Sequence, residues 1–235
     1  MDINADIGEG YDDVGLMPYL TRASIACGGH IGDARSMDAA LVLAAEYGVA
    51  VGAHPGYPDR EGFGRREWVA SPEQIAQWVT QQTETLAEAA ARKGMRLAHV
   101  KPHGALYNVA AHDREVAAAI AQAVHAWDAS LILVGLSGSR LIETGRAAGL
   151  IVMEEVFADR RYQSNSQLVS RETPGALITD PETAAAQACA LAQGLPIFAL
   201  DVRPLRLSAD TLCLHSDTPN AIDIARAVAQ ALNRG

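Results

Sequence analysis

Short apolar runs alternate with Ala-rich stretches of helical period from one end of the chain to the other. Runs at 2–6, 22–27, 49–53, 96–101, 131–135, 150–154, 196–200 and 211–214 read as strands, most of them too short and too uniformly apolar to lie half exposed. That pattern favours a parallel sheet covered by helices. Between the runs, helical periods predict helices at 34–47, 72–93, 113–127, 138–148, 181–193 and 219–233. Ser71-Pro72-Glu73-Gln74 joins an N-cap, a first-turn Pro and a capping-box Gln, and Gly94 supplies the stop. Asp180-Pro181 and Thr218-Pro219 repeat the cap-then-Pro signature. The segment 157–175 breaks the rhythm with polar residues and predicts a long loop on the face where strands end. With no internal repeat, linker or composition break, the expected architecture is one α/β domain over 1–235. A TIM-like (β/α) barrel of seven or eight strands suits it better than an open doubly wound sheet.

Composition then narrows the partners. The chain has 235 residues, 49% of them hydrophobic, enough to bury a large core. Nineteen Lys+Arg against 28 Asp+Glu leave a net charge of -9, which repels a phosphodiester backbone and an anionic membrane. Aromatics at 5% offer little surface for stacking bases. A small-molecule ligand is expected, with no nucleic acid and no membrane. Cys27, Cys189 and Cys213 form no C-x-x-C pair, and the N-terminus lacks a signal sequence, so a reduced cytoplasmic location is expected.

The positions of the seven histidines are the main chemical signal. In parallel α/β folds, chemistry collects where strands end. Asp6 ends the first strand; His30, His54, His103 and His215 follow the second, third, fourth and last; Glu155 and Asp159 follow the strand at 150–154. His112 and His125 fall in helices and read as surface or capping residues. A lone His beside Gly or Pro is usually a turn residue, but several at one rim point to a site. An Asp at the end of a buried strand is costly unless paired or functional. Asp6, His54 and His103 are therefore catalytic candidates, and the same three could hold a divalent metal or act without one by general acid–base catalysis. Lys101 joins them as a buried cation that needs an anion, either Asp6 or Glu9 or a ligand carboxylate or phosphate. Arg65 and Arg66 follow a Gly-rich lid-like loop and could hold an acidic ligand, although such pairs are usually just solvated. Gly135-Leu136-Ser137-Gly138-Ser139 could hold an anion or simply make a tight turn. Cys27 beside His30 is a conceivable nucleophile, though a strand-end Cys is more often a buried hydrophobe.

Longer blocks carry a family resemblance. Asn4-Ala5-Asp6-Ile7-Gly8-Glu9, Ile25-Ala26-Cys27-Gly28-Gly29-His30, Val51-Gly52-Ala53-His54-Pro55-Gly56-Tyr57-Pro58-Asp59 and His99-Val100-Lys101-Pro102-His103-Gly104 resemble the LamB/YcsF family. Glu155 to Tyr162 and Ala209 to Pro219 continue the match in order over nearly the whole chain. The resemblance implies a barrel related to metal-dependent deacetylases. It also implies a role in opening the lactam of 5-oxo-L-proline to L-glutamate with ATP hydrolysis, alongside two 5-oxoprolinase partner subunits, B and C. Substrate-binding roles would fall to Glu9, His30, Arg65, Arg66 and His215. With no P-loop in the chain, the partners would carry most of the ATP chemistry while the barrel hydrolyses the activated lactam. The alternatives are a stand-alone metal-dependent carbohydrate deacetylase-like hydrolase and a non-catalytic scaffold. Ala5, Gly29 and Ser216 depart from the usual Cys, aromatic and Gly. The loop 164–171 lacks the usual Gly and Pro, and 194–206 looks shortened.

Overall fold

A computed structural model describes residues 1–233. In chain order it places β1 (Asp2–Ile7), α1 (Asp13–Leu16), a 3-10 turn (Met17–Tyr19), β2 (Arg22–Ala26), α2 (Ala34–Tyr47), β3 (Ala50–His54) and α3 (Pro72–Ala91). There follow β4 (His99–Val100), α4 (Gly104–Ala110), α5 (Arg114–Trp127), β5 (Ile132–Leu136), α6 (Arg140–Ala147) and β6 (Ile151–Phe157). The chain ends with α7 (Pro181–Ala192), β7 (Ile197–Phe198), β8 (Pro204–Leu205), β9 (Thr211–Leu214) and α8 (Ala221–Leu232). Strands β1 to β6 and β9 close into an all-parallel barrel. Thr211 of β9 closes it, standing in register with Asp2 on one side and Glu155 on the other. The α/β barrel expected from the sequence is thus present with seven strands.

The predicted strand at 196–200, seventh in chain order, forms outside the barrel. Ile197 and Phe198 pair antiparallel with Leu205 and Pro204 in a hairpin outside the barrel. The polar turn around Val202, which takes a left-handed φ of 67°, reverses the chain there, whereas a parallel partner needs a crossover. Helix starts follow the capping chemistry in part. Ser71 and Gln74 complete their capping box, and Asp33 pairs with Ser36 in the same way at α2. At α8 the expected Thr218 cap is replaced by Asn220 in a left-handed conformation, because the Thr218 hydroxyl donates to Asp159 at 2.6 Å instead.

Apolar side chains such as Ile7, Ile25, Leu41, Leu86, Leu106 and Ile120 are fully buried and belong to one continuous core. The lumen is polar. Ser24 of β2 meets His99 Nε2 of β4 at 3.1 Å, and Asn4 of β1 accepts from Lys101 Nζ, so strands that are not neighbours bond across the interior. Period-2 alternation explains the division, since Asn4 and Asp6 share one face of β1 while Ile3, Ala5 and Ile7 share the other. No helix among the described residues is long and apolar enough to cross a membrane.

Candidate active site

Lys101 sits just past β4 with its ammonium 2.8 Å from both Asp6 Oδ1 and Glu155 Oε1, 3.0 Å from Asn4 Oδ1 and 3.2 Å from Cys213 Sγ. Glu155 is fully buried and also accepts from the Tyr107 hydroxyl at 2.7 Å. One cation thus faces two carboxylates. Burial alone would raise the Asp6 pKa, but the charges of His54 and Lys101 outweigh it and hold this carboxyl well below its ordinary range. Burial opposes the charge on Lys101 as well, and Asp6 and Glu155 again prevail, holding its pKa well above normal. The structure therefore pairs Lys101 with acids of its own chain.

A second cluster lies beside the first. Gly8 turns the chain after β1 with a φ of 77° and carries Glu9 back over the rim. Glu9 Oε1 stands 2.8 Å from His30 Nε2, 3.1 Å from His103 Nδ1 and 3.7 Å from His54 Nε2. His30 lies flat on His103, ring centroids 3.5 Å apart. Gly64 presses on both rings: a Cβ built there falls 2.7 Å from His30 and 2.9 Å from His103. Burial holds the His30 pKa down at about 3, so the ring is neutral and donates from Nε2 to the Glu9 carboxylate. Asp6 Oδ2 reaches the same group at 3.4 Å from His54 Nε2.

Backbone carbonyls fix the two central tautomers. His54 Nδ1 is 2.7 Å from the Lys101 carbonyl and His103 Nε2 is 2.9 Å from the Phe63 carbonyl, so each of these nitrogens must donate. In the neutral rings the remaining lone pairs, on His54 Nε2 and His103 Nδ1, face each other at 3.0 Å. Two lone pairs at that distance require a positive centre between them. A proton supplies one: burial disfavours it, but Asp6 and Glu9 hold the His54 pKa above normal. A metal cation would be the alternative, and Glu9, His30, His54 and His103 form a buried group able to hold one. The three donor edges of 3.0, 3.1 and 3.7 Å bracket the edge of about 3.3–3.4 Å set by tetrahedral ligands about 2.0–2.1 Å from a metal. The geometry joins Glu9 and His30 to His54 and His103, with Asp6 at the edge of that group. The signal for Glu9 and His30 was their place in rim loops, but nothing in residue type told which acid would face the imidazoles.

His215 follows β9, and its Nδ1 lies 3.0 Å from Asp159, whose pKa the His215 charge and hydrogen bonds pull down to about 2 against burial. It stacks on Phe157 and, with Asp6 and Cys213, forms a second donor group. Asp6, His54, Lys101, His103 and His215 all line one cavity of about 510 Å³, which is also lined by Gln163 and residues 167–172 of the loop predicted at 157–175. Arg65 lines it too and pairs with Asp217. Arg66 does not: it turns to Asp59 and Glu61 because that loop supplies its own acids. The turn at Ser137-Gly138 is occupied by an internal anion, with the Ser137 hydroxyl and Gly138 N–H both donating to Glu154 at 3.0 Å. Cys27 is buried, and burial pushes its thiol pKa up to about 12, which removes it as a nucleophile at neutral pH. At Gly29 the space of a side chain is filled by Gln82, whose amide clamps Gly56 through its N–H and its carbonyl. Sequence reading missed Asn4 and Tyr107 as partners in the Lys101 network.

The fold and rim define a closed parallel (β/α) barrel with a cluster of buried carboxyl, imidazole and ammonium groups at the carboxyl ends of its strands. The chain belongs to the LamB/YcsF family, whose profile matches residues 1–235. It is 48% identical to the 5-oxoprolinase A-type subunit of Chloroflexus aggregans, covering 99% of this chain and 94% of that one. It is 45% identical to the corresponding 5-oxoprolinase component of Bordetella pertussis, covering 100% and 95%. The crystal structure of a lactam utilization protein from Thermus thermophilus superposes with a TM-score of 0.93 at 46% identity, covering 100% of this chain and 96% of that one.

Proposed function

We propose that this chain is the lactam-opening component of an ATP-hydrolysing 5-oxoprolinase, converting 5-oxo-L-proline to L-glutamate together with partner subunits B and C. The observation that carries the reading is the convergence of Asp6, His54, Lys101, His103 and His215 on one cavity, in a chain nearly half identical to proteins named as a 5-oxoprolinase component. A lactam is a poor electrophile. Phosphorylation of its oxygen by ATP, releasing ADP, turns it into an imidate-like species; water adds at the former carbonyl carbon, the C–N bond breaks as the nitrogen takes a proton, and a second water releases phosphate from the ring-opened acyl phosphate. The chain has no P-loop, so the ATP step is assigned to the partners.

Within the barrel, Asp6 stays ionised and orients water or the imidazole of His54. His215, held through Nδ1 by Asp159, offers its second nitrogen as a proton carrier. Lys101 stabilises the negative charge of Asp6 and Glu155 and sets the field at the cavity floor. A divalent cation held by Glu9, His54 and His103 would polarise a carbonyl oxygen or lower the pKa of a bound water, which is why a metal-assisted hydrolysis at the same site is the second reading. The chain is assigned to the cytoplasm.

Reconstitution tests the assignment. Purified chain alone is expected to release little glutamate, and addition of subunits B and C should give glutamate that depends on both ATP and 5-oxo-L-proline. Asp6→Asn and His103→Ala should abolish turnover while leaving assembly with the partners intact. No glutamate from the complete mixture sinks the reading, and full turnover in both variants favours a scaffold.

A further inference from the structure

Arg160 is a buried cation that no acid among the described residues contacts in an ion pair. It is 5% exposed, lines the same cavity as Asp6, Lys101 and His215, and forms no ion pair among the described residues. Its one guanidinium hydrogen bond runs from Nη2 to the Val169 carbonyl at 2.7 Å, and its buried Nε has no partner. The acids nearby are already taken. Asp159 holds His215 and the Thr218 hydroxyl, and Asp217 holds Arg65 and Arg171. The backbone beneath Arg160 is fixed, since Gln187 Nε2 donates to the carbonyls of Phe157 and Arg160 at 2.8 and 2.9 Å, and Arg160 bridges Leu177 across the loop. Burial and the neighbouring Arg171 charge lower its pKa to about 10, and the charges of Asp159 and Asp217, neither in contact with the guanidinium, offset this only in part.

A rigid, buried guanidinium in a cavity wall, with no ion pair of its own and an unpartnered Nε, is suited to hold an oxyanion, and its planar fork matches a carboxylate. We infer that Arg160 is the specificity residue that reads the carboxylate of the substrate, selecting a cyclic amide that bears an acid over a neutral lactam. The inference rests on the lactam-opening reading and adds to it the group that distinguishes the substrate. Arg65, the arginine singled out in the sequence, is half exposed and already paired, which leaves the role to Arg160.

Binding of 5-oxo-L-proline and of its neutral carboxamide to the intact chain, measured by titration calorimetry, tests this. The wild type should prefer the acid by about 10–100-fold, the worth of one charge-assisted contact. Arg160→Gln should erase that preference, and Arg160→Lys, which keeps the charge but not the fork, should retain part of it and guard against loss of fold. In the reconstituted complex the loss should appear in KM for the acid more than in kcat. Equal affinity of the wild type for acid and amide, or an unchanged ratio in a folded Arg160→Gln, overturns the inference. A complex that opens no lactam overturns the lactam-opening reading instead, and the binding ratio still decides for or against Arg160.

Discussion

Replacing Lys101 by Met removes one charge from the barrel lumen while keeping the length of the side chain. At 2.8 Å and an effective dielectric of about 20, each contact of Lys101 with Asp6 and Glu155 represents about 6 kcal/mol of gross attraction. Desolvation of three buried ions offsets most of this, so the informative quantity is the cost of orphaning the two acids, about 3–5 kcal/mol. For a chain of 235 residues, about 2–4 °C per kcal/mol converts a 4 kcal/mol loss into a fall in Tm of about 8–16 °C. The pH dependence identifies the cause. In the wild type the Asp6 pKa is depressed, so its contribution is present above the unfolded value of about 3.9 and is lost only as pH falls through the much lower folded value. In Lys101→Met both acids lose their cation and the Asp6 pKa rises, so the folded variant takes up a proton at mildly acidic pH where the wild type does not. The stability gap should therefore be widest near pH 8 and narrower at pH 5. Urea unfolding of both proteins at the two pH values measures it, with Lys101→Met/Glu155→Gln expected to recover part of the loss. A gap below about 1 kcal/mol at pH 8, or one that does not change with pH, refutes the account of Lys101 as the neutraliser of two buried carboxylates.

The remaining predictions concern other parts of the rim. Cobalt(II) titration should give a tetrahedral absorption band that Glu9→Gln and His54→Ala each weaken by about 100-fold in affinity; wild-type protein that takes up no metal would leave the proton as the positive centre between His54 and His103. Gly29→Ala should destabilise the protein by about 1–3 kcal/mol, because its Cβ would fall 2.2 Å from Gln82 Oε1, and Gln82→Ala in the same chain should recover part of that; additive losses would contradict the steric reading. Asp13 has its pKa raised to about 6, mainly by burial, so the fold disfavours its charged form and stability falls as pH rises from about 4 to 6. Asp13→Asn, which can still accept from the Gly8 N–H, should gain about 1 kcal/mol at pH 7 after allowance for partial exposure, and nothing at pH 4; an equal gain at both pH values would exclude ionisation as the source.

The strands and the rim were legible because both are periodic. Alternating apolar runs marked the positions of all seven barrel strands, and a His or acid just past a strand end is a one-dimensional pattern with a three-dimensional meaning. The pattern failed where a local contact outweighed it. The run at 196–200 left the barrel because the turn at Val202 folds it onto Pro204–Leu205, and Arg66 left the cavity because Asp59, seven residues earlier, captures it. Thr218 abandoned its cap for a carboxylate 59 residues away.

The chemistry of the site depends on a level that residue types do not encode. His54 and His103 were legible as rim histidines, yet what they can hold follows from which nitrogen of each ring carries a lone pair. That choice is made by the carbonyls of Lys101 and Phe63, 47 and 40 residues away in sequence. Any residue at those two positions supplies the same carbonyl. Substituting the Lys101 side chain therefore disturbs the carboxylate network and leaves the His54 tautomer in place, so metal affinity and lumen stability should respond to different substitutions even though both clusters meet at Asp6.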